Sequence, residues 1–549
     1  MVLLTLAGIS AAFLIWFFWD LHRREEGLRR RVRESFGRIP QTDGIRREIL
    51  RWDECDADGC RAIDENTWRD LGMDEVFQRV DACQSALGSA YLYAQLHRPR
   101  AEDALLDRER LCEAVGRDPA LCMELRLRLA RLGHRRGADP AFVFSGSAAG
   151  LPRPTLYRVS AWLPVAAIPL AFLGPAGAMA LIAACCWNVL LYMRAKTVLE
   201  GQGVSLGYLV RVVDTARGIS ALPALGREAP RLCRELRENC AALKGLTGGR
   251  MKLTMPHGEA MDTLLEFAFM LTLAPALACL RAQRILAQRR SQALAVCRML
   301  AEVDLACGTA SFRKSLPRWC RPDFGREAGM ECADMYHPLL ERPVPNSAEF
   351  PRGALFTGSN ASGKSTFLKA AAVNAILAQT LHTCAAGRFA LPQAPYPVLA
   401  SMAVADDLLA GESYFVAEVG SLKRLVDHAQ AGLSGLCVID EILKGTNTAE
   451  RVAASAAVLR YLAGTRVLCL AATHDTELPG MLEAWFDNYH FCESMEDGGV
   501  RFDYCLKRGV CTTRNAIALL DAMGYPRQIT EQARCSAEHF LQTGQWAGR

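Results

Sequence analysis

Residues 357–366 read Thr-Gly-Ser-Asn-Ala-Ser-Gly-Lys-Ser-Thr, and within them Gly358-x4-Gly363-Lys364-Ser365 completes a phosphate-binding loop. The glycines let successive backbone N–H groups turn inward around an anion. In this pattern Lys364 reaches the β- and γ-phosphates and the Ser365 hydroxyl holds Mg²⁺. Ser359, Asn360 and Thr366 lie in the same turn and are assigned with it to the nucleotide. Ala354-Leu355-Phe356, ahead of the loop, is a short apolar run suited to a buried strand. Phe367 to Leu381, after it, is rich in Ala, Leu, Ile and Val with no Pro or Gly, and reads as a helix whose N-terminus faces the anion. Strand, loop and helix together imply binding of a nucleoside triphosphate.

A second strand points to hydrolysis. Gly435 to Glu441 (Gly-Leu-Cys-Val-Ile-Asp-Glu) is an apolar run ending in two carboxylates, as expected of a central strand in a parallel sheet. Asp440 at its carboxyl end is placed to take Mg²⁺, directly or through water. Glu441, next along, is placed to polarise the attacking water. A third strand, Arg466 to Ala472, ends in Thr473-His474, where an imidazole can touch the γ-phosphate and report its loss.

Four stretches, in order, resemble the MutS mismatch-repair ATPases. His337-Pro338 is similar to their His-Pro element ahead of the phosphate loop. Ala405 to Val419 is similar to the segment carrying their composite-site serine. Asp440 to Thr448 resembles their Asp-Glu-Ile-Gly-Arg-Gly-Thr-Ser-Thr stretch, and Ala472-Thr473-His474 their histidine switch. Gly509, Asn515-Ala516 and Gly524-Tyr525-Pro526 resemble their C-terminal dimer-contact region. The resemblance covers residues 330–540. It implies an ABC-type P-loop ATPase domain with a mostly parallel sheet, ATP and Mg²⁺ as cofactors, and a homodimer. In that dimer Gly411 and Ser413 complete the partner's site by approaching its γ-phosphate. One departure stands out. The family places an aromatic residue before the loop strand to stack on adenine, and the nearest position here is Pro343.

More faintly, Ile63 to Leu71 with Ser85 to Tyr93, and Ala301 to Ala306, resemble the helical core of the same family. Nothing resembles its mismatch-reading domain. Val2 to Trp19 is instead an 18-residue apolar stretch, free of charge until Asp20 and followed by His22-Arg23-Arg24. That is close to the roughly 20 residues a membrane span needs. Ser160 to Met193 is a second stretch of 34 residues without a charge, broken by Pro164, Pro169 and Gly174-Pro175. It reads as a membrane hairpin with a short first arm. Arg153 and Arg158 before it, and Arg194 and Lys196 after it, put both ends in the cytoplasm. Core-like sequence stops near Leu132 and resumes near Leu199, so the hairpin occupies the place of the family's DNA-clamp levers. A third stretch, Leu264 to Leu280, contains Glu266 and Pro275 and reads as a buried or membrane-grazing core helix.

Composition adds bounds. A formal net charge of +5 with 51% hydrophobic residues is too weak a bias to argue for nucleic acid. None of the 21 cysteines forms a C-x-x-C pair, which fits reduced thiols acting as small apolar side chains.

The expected architecture is α plus α/β. An anchor over 1–20 and a connector over 21–61 lead to a helical core over 62–158. A transmembrane hairpin over 159–193 interrupts that core, which resumes over 194–330 and precedes an ATPase domain over 331–549. The implied protein is a multi-pass cell-membrane protein with a cytoplasmic ATPase domain. Its partners would be a second copy, membrane lipid and, by family, mismatched or structured DNA. The alternative is a membrane-coupling ATPase that has lost DNA binding.

Overall fold

The computed structural model describes residues 2–40, 63–134, 153–246, 267–359, 362–402, 414–496, 499–510, 517, 520–521, 523–543 and 546. Asn360, Gly411, Ser413, Asn515-Ala516 and residues 41–61 of the connector lie outside them. The chain divides into two compact units: Met1–Gly59, Val80–Gln95 and Asp107–Ser315 in one, and Cys60–Arg79, Leu96–Leu106 and Leu316–Arg549 in the other.

The first unit is helical. Helix α1 (Val2–Ser35) carries the first apolar stretch without interruption into the arginine-rich segment. Its end is docked: Arg126 donates to Ser35 Oγ at 3.0 Å, and Arg126 and Lys314 each sit 4.9 Å from the Phe36 ring. Alongside lie α4 (Ala86–His97), α5 (Glu102–Arg117) and α6 (Pro119–Leu132), while α2 (Glu65–Asp70) and α3 (Met73–Val80), earlier in the chain, belong to the second unit. Helices α7 (Pro154–Ser160) and α8 (Leu163–Ala171) lead to α9 (Pro175–Ser220). Short α10 (Pro223–Glu228) and α11 (Pro230–Ala242) precede α12 (Ala274–Ser315), which is kinked at Arg289. Six of these helices carry Pro in the first turn, where the missing N–H costs nothing.

Helix α9 has two different ends. Its 46 residues run about 69 Å at 1.5 Å per residue. Near its C-terminus Leu206, Leu209, Val212, Val213, Ala216 and Ile219 are buried in the core. Near its N-terminus Met179, Ile182 and Leu190 are exposed, and the adjoining turn exposes Phe172 (87%) and Leu173 (82%). The turn falls at Gly174, as Gly-Pro suggests. A Cβ at Gly177 would lie 1.7 Å from the Leu170 carbonyl oxygen, so only glycine lets α8 and α9 meet there.

The two arms of the expected hairpin are unequal. The nine residues of α8 cover about 14 Å, under half of a roughly 30 Å hydrocarbon core. A break at residues 161–162 keeps α7 and α8 from merging. Among the described residues one helix, Pro175–Lys196, is long and apolar enough to cross a membrane. The third apolar stretch, from Phe267 onward, packs against this head: Leu273, Ala276 and Leu280 cluster with Tyr157, Leu191, Tyr192 and Ala195. Asn188, fully buried, donates to the Leu271 carbonyl at 2.6 Å.

The second unit holds two main sheets. A four-stranded sheet, order β1-β5-β2-β3, combines β1 (Pro322–Phe324), β2 (Met330–Met335), β3 (Asn346–Phe350) and β5 (Arg388–Leu391). Apart from a separate antiparallel pair, β10 (Glu493–Glu496) and β11 (Gly499–Phe502), a six-stranded sheet runs β12-β9-β4-β8-β7-β6. Its members β4 (Ala354–Thr357), β6 (Val398–Ser401), β7 (Gly435–Asp440), β8 (Val467–Ala472) and β9 (Asp487–His490) are parallel, and β12 (Lys507–Arg508) is antiparallel. Strands β4, β6, β7 and β8 are buried at every residue, which accounts for their unbroken apolar sequence. Helices α13 (Lys364–Leu381), α14 (Tyr414–Gln430) and α15 (Thr448–Ala463) accompany this sheet, and α16 (Arg527–Thr543) is the last described helix.

Helices α2 (Glu65–Asp70) and α3 (Met73–Val80), expected within the helical core, fold with this unit. Thr67 Oγ1 accepts the Ala400 N–H at 3.0 Å, and Asp70 Oδ2 accepts the Met402 N–H at 2.9 Å. Side chains of α2 thereby satisfy the open edge of β6, which would otherwise invite another strand.

Candidate nucleotide site

Three strands of the large sheet end at one level. Ala472 pairs with Phe356 on one side and Asp440 on the other. Beyond that level the Glu441 N–H bonds to the Ala472 carbonyl and the Thr473 N–H to the Phe356 carbonyl, each at 3.0 Å. The sheet therefore delivers the phosphate loop, Asp440-Glu441 and Thr473-His474 to the same carboxyl edge, where ligands of open α/β sheets bind.

The loop needs its glycine at 358. Gly358 has φ +141, and a Cβ there would lie 2.4 Å from the Phe491 carbonyl oxygen. Gly363 caps α13, so Lys364, Ser365 and Thr366 form its first turn, with N–H groups facing the loop. Lys364 is buried, and its ammonium donates to the Gly358 and Ser359 carbonyls at 2.7 Å each. Ser365 and Thr366 are exposed and line a cavity of about 540 Å³.

Asp440 is buried, and its Oδ1 has no hydrogen-bond partner among the described residues. An orphaned carboxylate oxygen at this edge fits a cation. Among the described residues no three His, Cys, Asp or Glu side chains cluster as a protein-only metal cage. Magnesium would suit that arrangement, because it commonly takes one or two protein oxygens and fills its octahedron with phosphate and water. Ser365 and Asp440 would be the protein's share.

Glu441 sits in the left-handed region at φ +55, at a cost of about 1–3 kcal/mol for a non-glycine residue. One carboxylate oxygen pairs with the Lys444 ammonium; the other is 2.8 Å from His474 Nε2. Burial, with Lys364 and Lys444 nearby, lowers the His474 pKa below 6.5. Next to it, Asp475 is gripped by Arg451 at 2.6 Å, and its N–H bonds to Thr473 Oγ1 at 3.0 Å. Lys364, Asp440, Glu441 and His474 thus meet as the motifs indicated, whereas Asn360, Gly411 and Ser413 lie outside the described residues.

The far wall of the cavity joins His337, from the His-Pro element, to Tyr336, Asn346, Phe491 and Tyr504, which no motif marked. Asn346 fastens the Tyr504 turn from both sides, donating to the Tyr504 carbonyl at 3.0 Å and accepting the Leu506 N–H at 2.7 Å. Tyr504 also stacks on Phe502 at 6.0 Å. An aromatic ring therefore faces the cavity although Pro343 supplies none. Its only signal in the sequence was one Tyr between Asp503 and Cys505. His337 is buried beside the cavity with a pKa lowered to about 4, chiefly by burial and then by Lys369, so it is neutral at pH 7.

A family profile described as MutS domain V matches residues 354–541. The DNA mismatch repair protein MutS of Natronomonas pharaonis is 31% identical over 248 residues, which is 43% of this chain and 28% of that protein. Its counterpart in Thermus thermophilus is 30% identical over 253 residues, 45% of this chain and 30% of that protein. DNA mismatch repair protein MutS 2 of Haloarcula marismortui is 30% identical over 274 residues, 45% and 28% respectively. The matches thus span less than a third of each relative. With the phosphate loop, the paired carboxylates and the histidine on one sheet edge, residues 354–541 are those of a MutS domain V, and the chain is similar to the mismatch-repair MutS proteins through this part.

Proposed function

We propose that this protein binds and hydrolyses ATP with Mg²⁺ at a site completed by a second copy of the chain. The convergence of Lys364, Asp440, Glu441 and His474 on one sheet edge carries this reading. Lys364 and the α13 N-terminus would neutralise the phosphates, and Ser365 and Asp440 would hold the metal. Glu441 would orient and deprotonate water, and His474 would sense the γ-phosphate. Gly411 and Ser413 of the partner copy would close the site. The names of the matched relatives extend the reading to DNA of mismatch-repair type.

Lys364→Ala should abolish ATP binding, while Glu441→Gln should keep binding and lose turnover. Ser413→Ala should depress hydrolysis yet leave nucleotide affinity nearly intact. Mixed with Lys364→Ala chains, it should recover one working site per mixed dimer. A mixture with confirmed subunit exchange and no recovered activity argues against sharing in trans. Fluorescence anisotropy with duplex, mismatched and branched DNA at stated salt tests the DNA arm.

A second reading, in which ATP turnover is coupled to a membrane, is favoured by the head of α8 and α9. Trp162, Phe172, Leu173 and Met179 are each at least 70% exposed there. No acidic residue lies between Arg153 and Glu200 or between Phe267 and Glu302, whereas Arg153, Arg158, Arg194, Arg281 and Arg284 are exposed. An apolar tip above an arginine collar suits a bilayer with anionic headgroups. In this reading α9 would link the membrane to the buried core as one rigid element. Flotation of the detergent-purified chain with vesicles of neutral or anionic lipid tests it.

A further inference from the structure

We infer that Glu418 is a positioning residue for Glu441, tying the first turns of α14 to the loop that follows β7. This rests on the reading of Glu441 as the base.

Glu418 is 6% exposed. One carboxylate oxygen accepts the Lys444 N–H at 2.9 Å and the other accepts the Gly445 N–H at 3.5 Å. One turn earlier, Phe415 lies against the same spot: a Cβ at Gly445 would come within 3.1 Å of Phe415 Cβ. A side chain with two acceptors thus holds two consecutive amides of a loop that itself lies in no strand or helix.

That loop carries unusual backbone. Glu441 and Leu443 both have positive φ, +55 and +56, without being glycine. Non-glycine residues stay in that region only when their surroundings over-determine them. Ile442 and Leu443 are buried in the cluster that includes Leu422 and Leu425 of α14, which fixes the middle of the loop. Asn447 fixes its far end, its side chain accepting the Glu450 N–H as the cap of α15. Between these anchors Glu418 holds the backbone at Lys444, whose ammonium pairs with Glu441. Glu418 therefore sets the place of both the carboxylate and its cationic partner without touching the reacting atoms.

The contact also has a direction. Helix α14 begins at Tyr414, directly after Ser413 in sequence. A displacement of its first turns would be passed by Glu418 to the loop that carries Glu441. Engagement of Ser413 by a partner's nucleotide would then be felt at the chain's own base.

The test compares Glu418→Ala and Glu418→Gln in the full-length detergent-solubilised protein. Equilibrium ATP affinity, steady-state kcat and KM, melting temperature and single-turnover hydrolysis with radiolabelled ATP are measured. Loss of loop placement should lower kcat roughly 10- to 100-fold for Ala, since small misplacements of a reacting group cost that much. Gln keeps one acceptor and should fall less. ATP affinity, KM and melting temperature should stay close to wild type. In single-turnover measurements Glu418→Ala should cost nothing further when added to Glu441→Gln, because both act through one carboxylate. An unchanged kcat overturns the inference. So does a parallel fall in affinity, melting temperature and kcat, which would make Glu418 merely structural, or a full additive loss with Glu441→Gln. If Glu441→Gln itself turns over ATP at the wild-type rate, the assignment of the base fails and the inference falls with it.

Discussion

His474 Nε2 lies 2.8 Å from one oxygen of Glu441, and the Lys444 ammonium pairs with the other. Each oxygen of the proposed base thus has one neighbour and keeps a further lone pair for water, and both neighbours set its basicity. His474 is the partner that pH can change. Its pKa is lowered from 6.5, first by burial and then by Lys364 and Lys444, so at pH 7 it is neutral and donates Nε2–H to the carboxylate. Below pH 6.5, as the medium crosses that lowered value, His474 gains a proton and the hydrogen bond becomes an ion pair. Hydrolysis should therefore show an acid limb below about pH 6.5, falling roughly tenfold per unit once established. His474→Gln, which cannot gain the proton, should lack this limb in kcat profiles. A limb unchanged in that variant would belong to another group.

Tyr504 supplies the aromatic wall of the cavity, and its turn is held by Asn346. Stacking of a base on an aromatic side chain contributes about 1–3 kcal/mol. Tyr504→Ala should raise KM for ATP roughly tenfold with kcat nearly unchanged, the signature of lost ground-state binding. Tyr504→Phe should stay near wild type. Steady-state kinetics decide it, and equal KM values for Ala and wild type would remove Tyr504 from the base site.

What was legible beforehand shares one property. The phosphate loop, Asp440-Glu441 and Thr473-His474 are each contiguous, and each follows an apolar run that reads as a buried strand. Their convergence follows from strand ends meeting at one level. Features built from distant partners left no such mark. Thr67 and Ala400 are 333 residues apart, and nothing periodic in α2 says that it closes a sheet edge. Asn346 and Tyr504 meet across 158 residues, Glu418 and Lys444 across 26, each through one side chain and one backbone group. The apolar stretch from Ser160 shows a different difficulty. Hydropathy is blind to where a helix stops, so the turn at Gly174 was readable from Gly-Pro while the break at residues 161–162 was not.

The helical unit should lose stability as pH rises from about 4 to about 6. Asp81 and Asp304 are fully buried, and burial raises the pKa of each from 3.8 to about 6 despite hydrogen bonds that oppose the shift. Asp304 accepts from Gln84 N–H, Ser85 N–H and Ser85 Oγ; Asp81 accepts from Ser89 Oγ and Cys83 N–H. The folded state therefore binds more protons than the unfolded state between these values, so stability declines across that window and levels off above it. Each group contributes up to about 3 kcal/mol to the decline. Asp81→Asn, which removes one titration, should flatten the curve by part of that amount in urea unfolding followed from pH 4.5 to 7. A curve as steep as wild type would mean that Asp81 does not titrate in this window.

The last prediction concerns topology, and it turns on the unequal arms of the hairpin. The segment Pro175–Lys196 has 22 residues, about 33 Å of helix, which matches a bilayer core. The return arm α8 covers less than half of that, and α7 continues it only after a break. Arginines flank both ends of the stretch, and more of them follow the first apolar stretch within α1. Reporters fused at Arg30, Gly203 and the C-terminus should therefore all read cytoplasm, and a tag near Gly174 should be reachable from outside. If the three cytoplasmic positions hold and the Gly174 tag is unreachable, the short arm has made the segment re-entrant. A reporter at Gly203 on the outside would separate the nucleotide site from cytoplasmic ATP and overturn the membrane reading.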